Sequence, residues 1–123
     1  MTEITKGAKA FLEYDLKRTA YGCTHGDFTS SATGTQKWYS ANHEVQLEML
    51  FAYVGGISIS LQCGDVEDGP KAFIMHDTKQ MAMVIRDLLS KKYATGVQLA
   101  TLCETLHDAK TQEEVDAIKW SPI

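Results

Sequence analysis

Between Glu44 and Gly64 the chain reads EVQLEMLFAYVGGISISLQCG, its longest stretch of alternating apolar residues, and the rest of the fold has to cover that surface. Val45, Leu47, Met49, Phe51 and Tyr53 recur at every second position before Gly55 and Gly56, and Ile57, Ile59, Leu61 and Cys63 do so after them. A period of two puts side chains on one face of a strand, so the spacing predicts a long β-hairpin turning at the glycine pair. A two-residue turn would set the aromatic face of the first strand beside Ser58, Ser60 and Gln62. A three-residue turn through Val54, Gly55 and Gly56, with Gly56 left-handed, joins the two apolar faces and is the expected one. The reverse of the first strand carries Leu50, Ala52 and Val54 next to Glu48, which is not a cleanly solvated face. These three residues, with Met83, are the candidate interface, and a homodimer through a sheet face or the C-terminal helices is the expected way of covering them.

The other elements follow from shorter signals. Ala8, Phe11, Leu12 and Leu16 fall at helical spacing between Thr5 and Leu16, with Thr5 placed to cap; a strand through Phe11, Tyr14 and Leu16 is the competing reading. KRTAYGCTHGD reads as a glycine-punctuated loop, and DFTSSAT and TQKWYSA as two short strands around Gly34. Asn42 and His43 supply a turn into the central hairpin. After the breaker loop GDVEDGP, KAFIMH reads as a fifth strand. Asp77 and Gln80 form a capping box for a helix whose stripe is Met81, Val84, Ile85, Leu88 and Leu89 and which Gly96 is expected to end. A second helix follows on Leu99, Leu102, Cys103 and Leu106, and Thr111 with Glu114 caps a last short one. Strands followed by helices predict an α+β fold: an antiparallel meander of about five strands, an N-terminal helix, and two to three C-terminal helices packed on one face. The 123 residues predict a single domain, 1–123, with one core.

Composition narrows the function classes. The formal net charge is −4, and of the 12 basic residues only Arg18 and Arg86 are arginine, which disfavours a nucleic-acid groove built on arginine forks and clustered positive charge. No apolar run approaches the ~20 residues of a membrane helix, and MTEITKGAKAF has no signal-peptide core, so a cytoplasmic protein without membrane contact is expected. Cys23, Cys63 and Cys103 are odd in number and widely spaced, as befits reduced thiols rather than a disulfide framework or zinc motif.

The densest polar cluster is Cys23-Thr24-His25-Gly26-Asp27, which holds within five residues the nucleophile, base and orienting carboxylate a thiol hydrolase needs. A polar loop capped by Asp27 explains the same residues. His76-Asp77-Thr78 resembles the His-x-Thr element of the two-histidine phosphoesterases, in which a pair of such elements grips a phosphate. This chain has one such element, and a strand-end histidine before an N-cap aspartate accounts for it. Cys23, His25, Asp27, His43 and His76 are of types zinc accepts, without the spacing of a structural site; no metal and no cofactor is expected.

Three function classes are therefore open. The first is a non-catalytic interaction protein, an inhibitor or chaperone masking a partner surface; phage- and plasmid-encoded inhibitors, including anti-defence proteins, share this size and acidity. The second is a binder of a small anionic ligand such as a nucleotide, held by Arg18, Cys23, His25, Trp38, His76 and Arg86. The third is a small Cys/His-dependent hydrolase using Cys23, His25 and His76.

Overall fold

The computed structural model describes residues 3–5 and 7–122. The elements run α1 (Ala8–His25), β1 (Phe28–Ser30), β2 (Lys37–Tyr39), α2 (His43–Gly55), β3 (Ile59–Gly64), β4 (Ala72–His76), α3 (Thr78–Asp108) and α4 (Gln112–Asp116). The fold is α+β, and the described residues form four helices and one antiparallel sheet of four strands in the order β1-β2-β3-β4. The strand count is four, not five, because the first arm of the expected central hairpin is a helix.

That correction has a local cause. Asn42, expected in a turn, is the N-cap of α2, and its side chain accepts the amide of Val45 at 2.9 Å. At the other end Gly56 is left-handed with φ 69°. Its amide bonds the Tyr53 carbonyl, and the amide of Ile57 bonds the Ala52 carbonyl, the paired closure that stops a helix. The left-handed glycine is thus where the spacing put it, but as a helix stop and not a hairpin turn. Between the caps lie Glu, Gln, Leu, Met and Ala, good helix formers.

Two further boundaries differ. Lys17 to His25, expected as a loop, continues α1, because Gly22 is tolerated inside a helix at modest cost. Gly96 does not end α3; the helix passes through it with no positive φ, and the stripe of Met81, Val84 and Leu88 is carried on by Leu99, Leu102 and Leu106. The Asp77–Gln80 capping box is present in both directions, at 2.9 and 2.8 Å.

The chain divides into two compact units, Thr24–Lys92 and a second made of Met1–Cys23 with Tyr93–Ile123. The buried hydrophobic residues correspondingly form two clusters, where the length alone suggested one core. In Thr24–Lys92 the inner face of the sheet, Phe28, Tyr39, Leu61 and Cys63, is covered by Met49 and Ala52 of α2 and by Met81, Val84 and Leu88 of α3. Ser30 Oγ donates to Asp87 Oδ2 at 2.6 Å, and Lys91 Nζ to the Asp27 carbonyl at 2.7 Å, tying α3 to β1 and its approach. Register sends alternate residues outward: Thr29 pairs with Trp38, Gln62 with Phe73 and Ser60 with Met75. In the other unit Leu16, Leu106, Ala109, Val115 and Ile118 are the buried set, and Gln98 clamps Ser121 through two hydrogen bonds of 2.9 and 2.7 Å.

Gly64 and Gly96 test this account in opposite senses. A Cβ on Gly64 would stand 2.2 Å from the Pro70 carbonyl oxygen, whereas one on Gly96 meets nothing within 4 Å. Gly64→Ala is expected to destabilise by roughly 1–3 kcal/mol, and Gly96→Ala to stabilise by up to about 1 kcal/mol if α3 is continuous there. Denaturant titration of the two variants against wild type reads both signs.

Candidate functional site

The residues proposed from sequence as a ligand set are distributed over α1, β2, β4 and α3. Cys23 and His25 lie two apart on α1, a spacing that points helical side chains in opposed directions. Asp27 is engaged elsewhere: its carboxylate takes Lys71 Nζ at 2.6 Å and the Asp68 amide at 2.8 Å, both partners lying on or beside the β3–β4 loop. The His25 ring has Nδ1 2.9 Å from the Thr24 hydroxyl. Trp38 faces outward on β2, while His76 faces inward on β4, so the two occupy opposite faces of the sheet. Arg18 pairs with Asp15 at 2.8 Å on α1, and Arg86 stands 3.9 Å from Asp87 on α3; both are largely exposed.

His76 is a core residue, 0% exposed. Its Nδ1 lies 2.7 Å from the Ile74 carbonyl, which can only accept, so that nitrogen carries the proton. In the neutral ring Nε2 then accepts from the Tyr39 hydroxyl at 2.8 Å. Tyr39 stacks on Phe28 at 5.7 Å and meets His76 edge-on at 5.5 Å. The His-Asp-Thr run is therefore a strand-end core histidine joined to a helix cap, not a phosphate grip. Among the described residues no group of three His, Cys, Asp or Glu is placed to hold a metal ion, and no helix is long and apolar enough to cross a membrane.

What the fold does assemble is an apolar groove between α2 and the first part of α3. It has a volume of about 360 Å³. Leu47, Met49 and Leu50 line it from α2 and Ile85, Leu88 and Leu89 from α3, with His25, His43, Gln46 and Lys92 as its polar members. Gln46 is fixed by donating to the carbonyls of Thr24 and Ala41, at 3.2 and 2.6 Å, and it accepts from Lys92. The groove opens onto a second stripe of α2. Leu47, Leu50, Phe51 and Val54 follow at i, i+3, i+4 and i+7, and all four are exposed, Phe51 by 70% and Val54 by 76%.

Of the four interface candidates, Leu50 and Val54 lie on this stripe and Met83 is exposed on α3. Ala52 is buried among the core residues under α2. Leu47 and Phe51, assigned by the strand reading to a buried face, are exposed members of the stripe. Their helical spacing was readable in the sequence once Asn42 was taken as a cap.

Two buried acids give the Thr24–Lys92 core a pH signature. Burial pushes the Cys63 thiol up from its ordinary 9.0 and the Tyr39 hydroxyl up from 10.0. Both ionise first in the unfolded chain, which then holds fewer protons than the folded one, so stability falls as pH rises past about 9. Lys37, raised by its hydrogen bond to Asp65, contributes stability that is likewise lost at alkaline pH. Denaturation midpoints are expected to decline steadily above that pH, and a thiol reagent to label Cys63 only as the protein unfolds.

The chain matches no protein-family model, no curated protein and no solved structure.

Proposed function

We propose that the protein works by binding another protein, as an inhibitor or chaperone that masks a partner surface, and that the α2–α3 groove is where the partner docks. The observation that carries this reading is the exposed stripe of Leu47, Leu50, Phe51 and Val54 beside the apolar floor of Ile85, Leu88 and Leu89. Contiguous exposed apolar side chains rimmed by polar residues are the kind of surface through which proteins interact. The groove lies between two helices and is walled by aliphatic side chains at helical spacing, which suits an amphipathic helix presenting its own apolar face. The ionisable members of the lining are His25, His43 and Lys92, with no carboxylate among them, so acidic flanks on that helix complement the rim.

Geometry favours this over the small-ligand reading. A nucleotide needs convergent donors for its phosphates. Of Arg18, Cys23, His25, Trp38, His76 and Arg86, only His25 lines the groove. The hydrolase reading draws on His76, which is buried and bonded to the Tyr39 hydroxyl and the Ile74 carbonyl.

Leu50→Glu/Phe51→Glu changes two exposed side chains and should leave the melting temperature nearly unchanged. Affinity capture from the expressing host, wild type against variant, is expected to retain a protein on the wild type and deplete it at least about tenfold on the variant, a loss of ~1.4 kcal/mol or more. Equal recovery on both proteins contradicts the groove as the docking site. A small molecule carried stoichiometrically by the wild type in native mass spectrometry contradicts the class.

A further inference from the structure

β4 is an edge strand without the usual protection. It lies last in the sheet order, and among the described residues no strand pairs along its outer side. Its sequence, AFIMH, contains no lysine, acid or proline, and its one ionisable side chain, His76, is turned into the core. Edge strands ordinarily carry charge, proline or a bulge, or are kept very short, because their unpaired backbone groups template another strand. The other edge, β1, is short, at three residues.

We propose that β4 pairs antiparallel with β4 of a second copy of the chain, extending the sheet across a two-fold axis at Ile74. This surface is separate from the α2–α3 groove and does not rest on it. The strand is self-complementary in that register and in no other of equal length. With Ile74 on the axis, Ala72 stands opposite the partner's His76 and Phe73 opposite the partner's Met75, so all five residues pair. A slip by one would set outward Phe73 opposite inward Ile74, mismatching the two faces. A slip by two shortens the ladder.

The flanking charges do not oppose this register: Lys71 precedes the strand and Asp77 follows it, so the two-fold sets no like charges opposite one another at either end. Lys71 holds Asp27 at 2.6 Å and reaches the Gly69 carbonyl at 3.3 Å, while Asp77 is exposed and caps α3 through Oδ1. No like charges meet along the ladder. On the outer face Phe73 is 69% and Met75 61% exposed. Pairing brings Phe73 of each copy against the partner's Met75, where an aromatic ring and a thioether attract.

The register makes the test specific. Sedimentation velocity on the full chain over a dilution series is expected to find a dimer of the 13.6 kDa protomer. Phe73→Lys/Met75→Lys sets lysine opposite lysine in both halves of the interface, and a monomer is expected. Phe73→Lys/Met75→Glu sets lysine opposite glutamate in both halves, and the dimer is expected to return. Both positions are exposed, and circular dichroism verifies that each variant keeps the native fold. A wild type that is monomeric at every concentration overturns the proposal. So does a folded Lys/Lys variant that stays dimeric, or a folded Lys/Glu variant that stays monomeric. Leu50→Glu/Phe51→Glu is expected to remain dimeric, and its dissociation would place the dimer contact on α2 instead.

Discussion

The inner face of the sheet has to be covered, and much of how the Thr24–Lys92 unit is built follows from how α2 covers it. Phe28, Tyr39, Leu61 and Cys63 present an apolar face that only packed side chains can remove from water. α2 meets it with Met49 and Ala52, one narrow stripe of a helix that is apolar on more than one side. Covering the sheet therefore leaves Leu47, Leu50, Phe51 and Val54 outside. The groove against α3 is the direct result: the residues that close the core set the pitch at which the remaining ones are displayed.

The same ambiguity explains where the sequence was legible and where it was not. An apolar residue at every second position reads as a strand, but in a segment as apolar as EVQLEMLFAYV the positions i, i+4 and i+7 are filled as well, and both periods fit. Side-chain pattern alone could not separate them; the caps could. Asn42 three residues before Val45, and the glycine pair at 55 and 56, are end signals of a helix, and at Gly56 the left-handed conformation was recognised but attached to the wrong element. Where helical spacing was joined to a recognisable cap, as in the helix that the Asp77–Gln80 box begins, the element was legible, and so was the β1–β2 hairpin. Gly96 misled because a single glycine weakens a helix by about 1 kcal/mol, which the packed stripe on either side outweighs.

Two of the chemistry-bearing residues singled out from sequence have structural partners. His76 and Tyr39 satisfy one another inside the core, and Asp27 secures the β3–β4 loop through Lys71 and the Asp68 amide. Their proximity in sequence to Thr78 or to Cys23 and His25 reflects strand ends and helix ends, where polar side chains close off backbone and core. Two surfaces without such polar partners are the apolar stripe of α2 and the uncharged edge at β4, for which we propose a foreign helix and an identical strand. Neither is a cluster of reactive groups; Leu50 and Val54 of the stripe were legible as interface candidates, whereas the edge at β4 depends on the strand order.

α2 is a helix with one stripe in the core and another in water. Solution NMR with a soluble paramagnetic agent measures this most directly. Strong relaxation enhancement is expected at the side chains of Leu50, Phe51 and Val54, and protection at Met49 and Ala52. Protection at every second residue from Val45 to Tyr53 would show a strand, and protection of Phe51 and Val54 would show a covered helix; either result would contradict this arrangement.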